Sequence, residues 1–265
     1  MTSITPQKQH MGINWMGLYM LISRDVKRIF RVWVQSIASP LISATLYIFI
    51  FGKVVGSRID HIAGVPYITF VFPGILAMNI LTSSFMHSSS TTNFQRFMKT
   101  IQEVLVAPFS HIEMIVWLVA GGVVRGLLIA FGVLSIGVFF GAVTFAHPLI
   151  FIFYAIAVAI TFSLVGIITG LWANNFEQLS MINTFVIMPF SYLGGMFYSV
   201  SMLPKTAQTL VHLNPFFYFV DGLRYSMTGV SEANMLVGVS FMVVLIAGLG
   251  TFVYHLLKIG WKIRE

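Results

Sequence analysis

The sequence predicts an all-α, polytopic membrane protein. Six transmembrane helices are expected, with an N-terminal interfacial amphipathic helix and short outer re-entrant helices between the fifth and sixth spans. Three observations carry this prediction. Of 265 residues, 57% are hydrophobic and 9% charged, where soluble domains carry about 25% charged residues. Apolar runs long enough to cross a bilayer, at roughly 20 residues each, recur along the whole chain. Basic residues sit in short segments flanking those runs. The mean hydropathy of +0.89 agrees, and residues 1–265 read as a single transmembrane domain.

The formal charge of +7 does not point to a nucleic-acid partner, because a binding face would gather its cations on one folded surface. Here they mark topology. Cysteine is absent, which excludes disulfides and thiol metal sites. The N-terminus does not read as a secretory signal, since no compact apolar stretch or small-residue cleavage site follows Lys8.

Residues 13–35 come first. Ile22, Val26, Ile29 and Trp33 fall on one helical face, with Arg24, Lys27, Arg28 and Arg31 largely opposite. That is a basic amphipathic helix suited to the lipid headgroup layer. The first span is expected over 33–51, kinked at Pro40, and the second over 67–89. The second ends in a Ser/Thr cluster, Ser88 to Thr92, whose hydroxyls either line a polar path or bond back to helix carbonyls.

The longest polar interruption follows, 93–110. Phe94, Phe97, Ile101 and Leu105 recur at i, i+3, i+7 and i+11, one stripe of a helix, with Arg96, Lys99 and Glu103 off it. Pro108 stops that helix. Ser110 and Glu113 are spaced as a capping box, and Phe109 and Met114 as its hydrophobic staple. The segment is either an amphipathic connection on the bilayer surface or a short helix that a cytoplasmic partner pushes upon.

The third span is expected over 112–140. Gly121, Gly122 and Gly126 allow close helix approach. Arg125 lies about 18 Å along the helix from Glu113 at 1.5 Å per residue, too deep for comfortable snorkelling. It belongs either to a buried ion pair or to the transport path. The fourth span, 149–172, carries Gly166 and Gly170. A polar elbow at 173–179 leads to a fifth span over 180–199, kinked by Pro189 and Gly194–Gly195. Residues 200–232 are too polar to span, and two short helices dipping into the outer interface suit them if protein covers their backbone. Asn214–Pro215 marks a turn and Asp221 and Arg224 lie at i, i+3. Pro189, Gly194, Gly195, Asn214, Pro215, Asp221 and Arg224 are thus the candidate outer-gate residues. The sixth span is expected over 234–257.

Orientation follows from the cations. With both termini inside, Lys8, Arg24, Lys27, Arg28, Arg31, Arg96, Lys99, Lys258, Lys262 and Arg264 are cytoplasmic. Lys53, Arg58, Lys205 and Arg224 are then outside and Arg125 is within the membrane. The positive-inside rule prefers this arrangement.

No phosphate-binding loop motif is present, because Gly52–Lys53 lacks both the upstream glycine and the following Ser/Thr. There is no H-E-x-x-H, no G-x-S-x-G and no carboxylate cluster, so neither catalytic nor metal residues are expected. The alternative class that fits this composition is a nucleotide-independent channel or secondary carrier, which would move substrate as the purified chain alone.

The run FPGILAMNILTSSF, the Gln95–Arg96 pair, EVLVAPFS and GGVVRG resemble, in order and spacing, the permeases of type-2 ABC exporters. FRVWVQS, YLGGMFYS and LNPFFYFVDGLRY extend the likeness over essentially the whole chain. The resemblance implies an ATP-driven exporter in the inner membrane that moves a hydrophobic or lipid-linked substrate outward. It also implies a coupling helix within 93–107 that docks on a separate ATPase subunit. Arg96, Lys99, Ile101, Glu103, Leu105, Ala107 and Pro108 are then the coupling residues, and 13–35 the gate helix. Two permeases and two ATPases would assemble, with ATP and Mg bound by the ATPases and no cofactor by this chain. Trp117 departs from the pattern, standing where relatives commonly carry glycine.

Overall fold

The computed structural model describes residues 14–59, 61–100 and 109–262. Helix α1 spans Trp15–Arg31. Asn14 caps it, its side-chain oxygen accepting from the Gly17 N–H at 3.0 Å. The chain then turns into the first membrane-crossing stretch, Val34–Val55, whose core is α2, Ser39–Phe49. A two-residue hairpin, His61–Ile62 with Val65–Pro66, leads to α3, Tyr67–Phe97. Next come α4, His111–Phe139, and α5, Pro148–Trp172. After the elbow lie α6, Phe176–Ile182, and α7, Met188–Leu193. The remaining helices are α8, Lys205–Leu213, α9, Pro215–Thr228, and α10, Met235–Ile259.

Among the described residues, five helices are long and apolar enough to cross a membrane: Val34–Val55, α3, α4, α5 and α10. The expected fifth span differs. Instead of one helix over 180–199, the chain forms α6, a π-helical turn at Asn183–Ile187, and α7. The polar Glu177, Gln178 and Asn183 dilute its hydropathy.

The break has a counterpart in the first crossing. A π turn occupies Val34–Ala38, and Pro40 follows with one residue, Ser39, between them. In the second case Pro189 follows Asn183–Ile187 with one residue, Met188, between them. Proline lacks the N–H that would close the helical ladder and its ring crowds the carbonyl four residues back. Widening the preceding turn relieves both problems, so each proline is answered by a π turn.

Helix α3 is the centre of the bundle. It packs against α4, α5, α9 and α2 and is buried through nearly all of its length. At 1.5 Å per residue its 31 residues reach about 46 Å, well beyond a hydrocarbon core of about 30 Å. The helix therefore runs eight residues past the expected end of the span at residue 89. The Ser/Thr stretch continues the helix, and its last turns emerge from the bundle. The main apolar core gathers Phe70, Phe72, Leu76, Ile129, Val133, Val158 and Phe219 around α3. A second core, with Leu18, Met114, Trp117, Leu164 and Leu256, joins α1 to α4, α5 and α10.

Small residues allow the central contacts. A Cβ at Gly122 would strike the Ser163 and Ser88 hydroxyls, and one at Gly126 the Ser84 hydroxyl. Cβ atoms at Gly166 and Gly170 would lie 2.7 Å from the Phe85 carbonyl oxygen and 2.6 Å from that of Ser89. Gly121 meets the His87 ring in the same way. Glycines of α4 and α5 thus admit the hydroxyl-rich face of α3. Of those hydroxyls, Ser88 donates to the Leu118 carbonyl at 3.3 Å and Ser89 to Met86 at 3.4 Å. These two bond backbone carbonyls in the helix packing, whereas the Ser84, Thr92 and Ser163 hydroxyls are buried without a hydrogen-bond partner among the described residues.

Candidate functional site

Two polar regions lie at opposite ends of the bundle. The first gathers α1, the end of α3, the start of α4, the end of α5 and the tail of α10.

The Ser110–Glu113 capping box forms. Ser110 Oγ accepts the Glu113 N–H at 3.2 Å, and Glu113 Oε2 accepts the Ser110 N–H at 2.6 Å. The other carboxylate oxygen, Oε1, accepts the Asn14 N–H, also at 2.6 Å. One side chain therefore caps its own helix and holds the residue that caps α1. Phe109 lies over Gly17, where a Cβ would come within 2.6 Å of its ring, and Phe109 and Met114 share the second core with Leu18.

A turn further on, Trp117 Nε1 donates to Asp25 Oδ2 at 2.8 Å, and both side chains are buried. Trp117 thus pins α1 to α4. The charged face expected for α1 has this exception: Asp25 points inward, while Arg24 reaches it at 3.8 Å from a largely exposed position. Burial pushes the Asp25 carboxyl above its ordinary value, against the opposing pull of Arg24, Trp117 and Arg28. Arg28 sits over the Phe94 ring at 5.0 Å, tying α1 to the end of α3.

The helical stripe expected from Phe94 through Leu105 is interrupted. Helix α3 ends at Phe97, and Lys99 adopts φ +58°. Phe94 and Phe97 are therefore the last turn of a span and not the start of a separate helix. Ile101, Glu103, Leu105, Ala107 and Pro108 lie outside the described residues. Lys99 is exposed, and Phe97 and Met98 leave 74% and 52% of their surfaces open.

Arg96 turns away from that exposed tip. Its guanidinium donates to the Leu171 carbonyl, to the Ala173 carbonyl at 2.7 Å and to Asn174 Oδ1 at 3.4 Å. Asn93 Nδ2 donates to Gly170 and Ala173 at 3.3 and 2.7 Å, and Lys262 Nζ reaches the Trp172 carbonyl at 3.0 Å. The last carbonyls of α5, which no intrahelical donor can satisfy, are thus met by α3 and the chain's tail. Two cations also suit the negative end of the helix dipole.

The second region lies at the other end. Arg224 is wholly buried: Nε donates to Phe70 at 3.3 Å, Nη2 to Gly195 at 2.5 Å, and Nη1 pairs with Glu232 at 3.3 Å. Its guanidinium also stacks 3.9 Å over the Phe70 ring. Gly195 has φ +75°, which a side chain would disfavour. Asp221 accepts from Ser231 Oγ and from the backbone N–H groups of Glu232 and Ala233, at 2.9, 2.9 and 3.1 Å. Asp221 and Arg224 therefore each grip the 231–233 segment. Asn214 caps α9 through Phe216 at 3.0 Å and donates to the Phe190 carbonyl at 2.7 Å, with Pro215 as first helical residue. Gly194 lets the α9 backbone approach, a Cβ there lying 3.1 Å from Phe216. Pro189 is the second residue of α7, just after the π turn. Glu232 was not among the expected residues. It sits in a short polar loop with no periodic signal.

Arg125 joins neither region. Glu177 lies at the elbow and Asp221 is bound elsewhere, so neither carboxylate pairs with it. Among the described residues its Nε is buried without a hydrogen-bond partner.

A family model described as ABC-2 type transporter matches residues 16–228. The chain belongs to the ABC-2 type transporter membrane family. It is 35% identical over 257 residues to the inner membrane transport permease YadH of Escherichia coli (strain K12), covering 96% of this chain and all of that protein. It is 23% identical to nodulation protein J of Rhizobium leguminosarum bv. viciae, over 84% of this chain and 86% of that one. Nodulation protein J of Rhizobium meliloti (strain 1021) is similarly 23% identical over 82% of each chain. This ABC-2 chain is a multi-pass permease, the transport subunit of its transporter, and the family implies a separate ATPase partner.

Proposed function

We propose that this permease resides in the bacterial inner membrane with both termini cytoplasmic and exports a hydrophobic or lipid-linked substrate. It crosses six times, the interrupted stretch from α6 to α7 being the fifth crossing. Two copies and two ATPase subunits make the transporter. The ATPase docks on the segment between α3 and α4, where Lys99, Ile101, Glu103, Leu105, Ala107 and Pro108 meet it beside the exposed Phe97 and Met98. Asp221 and Arg224 hold the outer gate.

The observation that carries this reading is the double grip of Glu113 on Asn14 and Ser110. Force applied to the segment just before Phe109 reaches α4 and the start of α1 through the same carboxylate. Trp117 and Asp25 tie the middle of α1 to α4 as well. A push by the ATPase would thus move α1 and α4 together, and nucleotide hydrolysis would be felt where α1 bends into the membrane.

The test is Glu103→Arg and Leu105→Asp in permease co-expressed with its ATPase. Loss of an interface hot spot weakens binding by about 2 kcal/mol or more. Both variants should lose the ATPase on co-purification while the permease keeps its melting temperature. If both still co-purify and transport normally, the segment is an ordinary surface connection.

A further inference from the structure

Between the end of α7 and the short helical turn Val200–Met202, residues 194–199 follow no regular structure. Among the described residues, the peptide groups of Gly195 to Tyr198 make no backbone–backbone hydrogen bond. Yet Gly194, Gly195, Met196 and Ser199 are buried. Irregular backbone inside an apolar bundle persists only where protein covers it and meets its polar groups. Here side chains from three other elements do so. Tyr67, the first residue of α3, donates its hydroxyl to the Phe197 carbonyl at 3.3 Å. Arg224 of α9 donates to the Gly195 carbonyl. Glu232, in the loop after α9, accepts from the Val200 N–H at 3.0 Å and from the Ser199 hydroxyl.

The segment's own side chains fit between neighbouring helices. Met196 is wholly buried and seated on α3, where a Cβ at Gly74 would lie 2.6 Å from its Cγ and from its carbonyl oxygen. Phe197 stacks on Phe51 of the first crossing, the ring centroids 4.2 Å apart, and lies 5.9 Å from Tyr192 of α7. The chain turns into this position at Gly195, φ +75°.

The tethers are shared in a way that favours release. Glu232 uses Oε1 for the segment and Oε2 for Arg224. Arg224 keeps Glu232, the Phe70 carbonyl and the Phe70 ring when Gly195 leaves. Withdrawing the segment therefore leaves the buried ion pair closed and strands no charge. We propose that residues 194–200 are a releasable wedge, held shut by Tyr67, Arg224 and Glu232 and turning about Gly195. This rests on the reading of Asp221 and Arg224 as an outer gate and names its moving part. Asp221 and Arg224 stay with the frame, while Met196 and Phe197 withdraw from α3 and the first crossing.

The chain contains no cysteine, so Met196→Cys introduces a sole thiol. The experiment measures its rate of reaction with a polar maleimide in the purified full-length permease, in uncharged maltoside detergent. Reaction should be slow. Tyr67→Phe and Ser199→Ala each remove one tether and leave Arg224 and Glu232 paired, and each should speed it about threefold to tenfold. Leu164→Cys, buried in the second core, should respond to neither substitution. A rate at position 196 that both substitutions leave unchanged overturns the proposal. So does an equal rise at position 164, which would mean that the whole bundle has loosened. The permease assembled with its ATPase separates the wedge from the gate reading, because ATP with Mg should also speed reaction at position 196. If the lost tethers speed it and ATP does not, the wedge stands and the outer-gate reading fails. If ATP speeds it and the lost tethers do not, the gate reading stands and the tethers assigned here fall.

Discussion

Glu113 accepts the backbone N–H of Asn14 at 2.6 Å across 99 residues of sequence. The same carboxylate closes a capping box at the start of α4, and Asn14 in turn caps α1. Two helix starts are thereby fastened at one side chain. A carboxylate suits this position because it accepts on both oxygens and complements the positive ends of two helix dipoles.

Replacing Glu113 by Gln leaves one acceptor oxygen for two N–H groups. One of them loses its partner, at about 1–3 kcal/mol. The start of α1 should loosen before the bundle does. A cysteine at Leu18, buried against Phe109 and Met114, should react with a maleimide markedly faster in Glu113→Gln than in the wild-type background. Equal rates in the two backgrounds would mean that the apolar contacts alone hold α1.

The Asp25–Trp117 pair gives a pH-dependent version of the same latch. Burial raises the Asp25 carboxyl above its ordinary 3.8, so the folded protein binds this proton more tightly than the unfolded chain. For such a group, stability falls as pH rises from the unfolded value through the folded one. Asp25→Asn keeps an acceptor for Trp117 and removes the buried charge. Its melting temperature should therefore change less than that of the wild type as pH rises from 4, and should match or exceed it at neutral pH. Trp117→Phe should do the reverse, leaving the carboxylate without its donor and lowering the melting temperature. A steeper pH profile in Asp25→Asn than in the wild type would contradict this assignment.

The family resemblance implies that Arg96 contacts the ATPase, yet its donors are committed to the end of α5. Arg96→Ala should lower the melting temperature while leaving co-purification with the ATPase intact. Loss of the ATPase without loss of stability would return Arg96 to the docking surface.

These residues show how far the sequence could be read. The capping box was legible because Ser110 and Glu113 are local and their spacing has one geometric meaning. Pro40 and Pro189 announced their interruptions for the same reason. The break at Lys99 was not legible, since no glycine or proline marks a positive φ there and the apolar stripe runs on past it. Asp25 carries no local signal within the basic helix, and its inward place is defined by Trp117, 92 residues away. Arg96 and Glu232 are likewise defined by distant carbonyls and donors that no periodic pattern reveals. Local chemistry could be read in advance, and long-range pairing of polar groups could not.

The network around Arg224 supplies the last prediction. Arg224 is wholly buried, and Glu232 is the carboxylate that meets it, at 3.3 Å. Glu232 also accepts from the Ser199 hydroxyl and from the Val200 N–H at 3.0 Å. Removing one member of a buried ion pair strands the other charge, at about 3–5 kcal/mol, while replacing both by apolar groups of similar volume can be neutral. Glu232→Leu alone should therefore lower the melting temperature sharply. Arg224→Met with Glu232→Leu should recover part of that loss, but not all, because the Phe70 and Gly195 carbonyls and the Val200 N–H then lose partners too. A double variant no more stable than Glu232→Leu would show that Arg224 is held by carbonyls and the Phe70 ring. In that case Glu232 serves mainly to fasten the 199–200 turn.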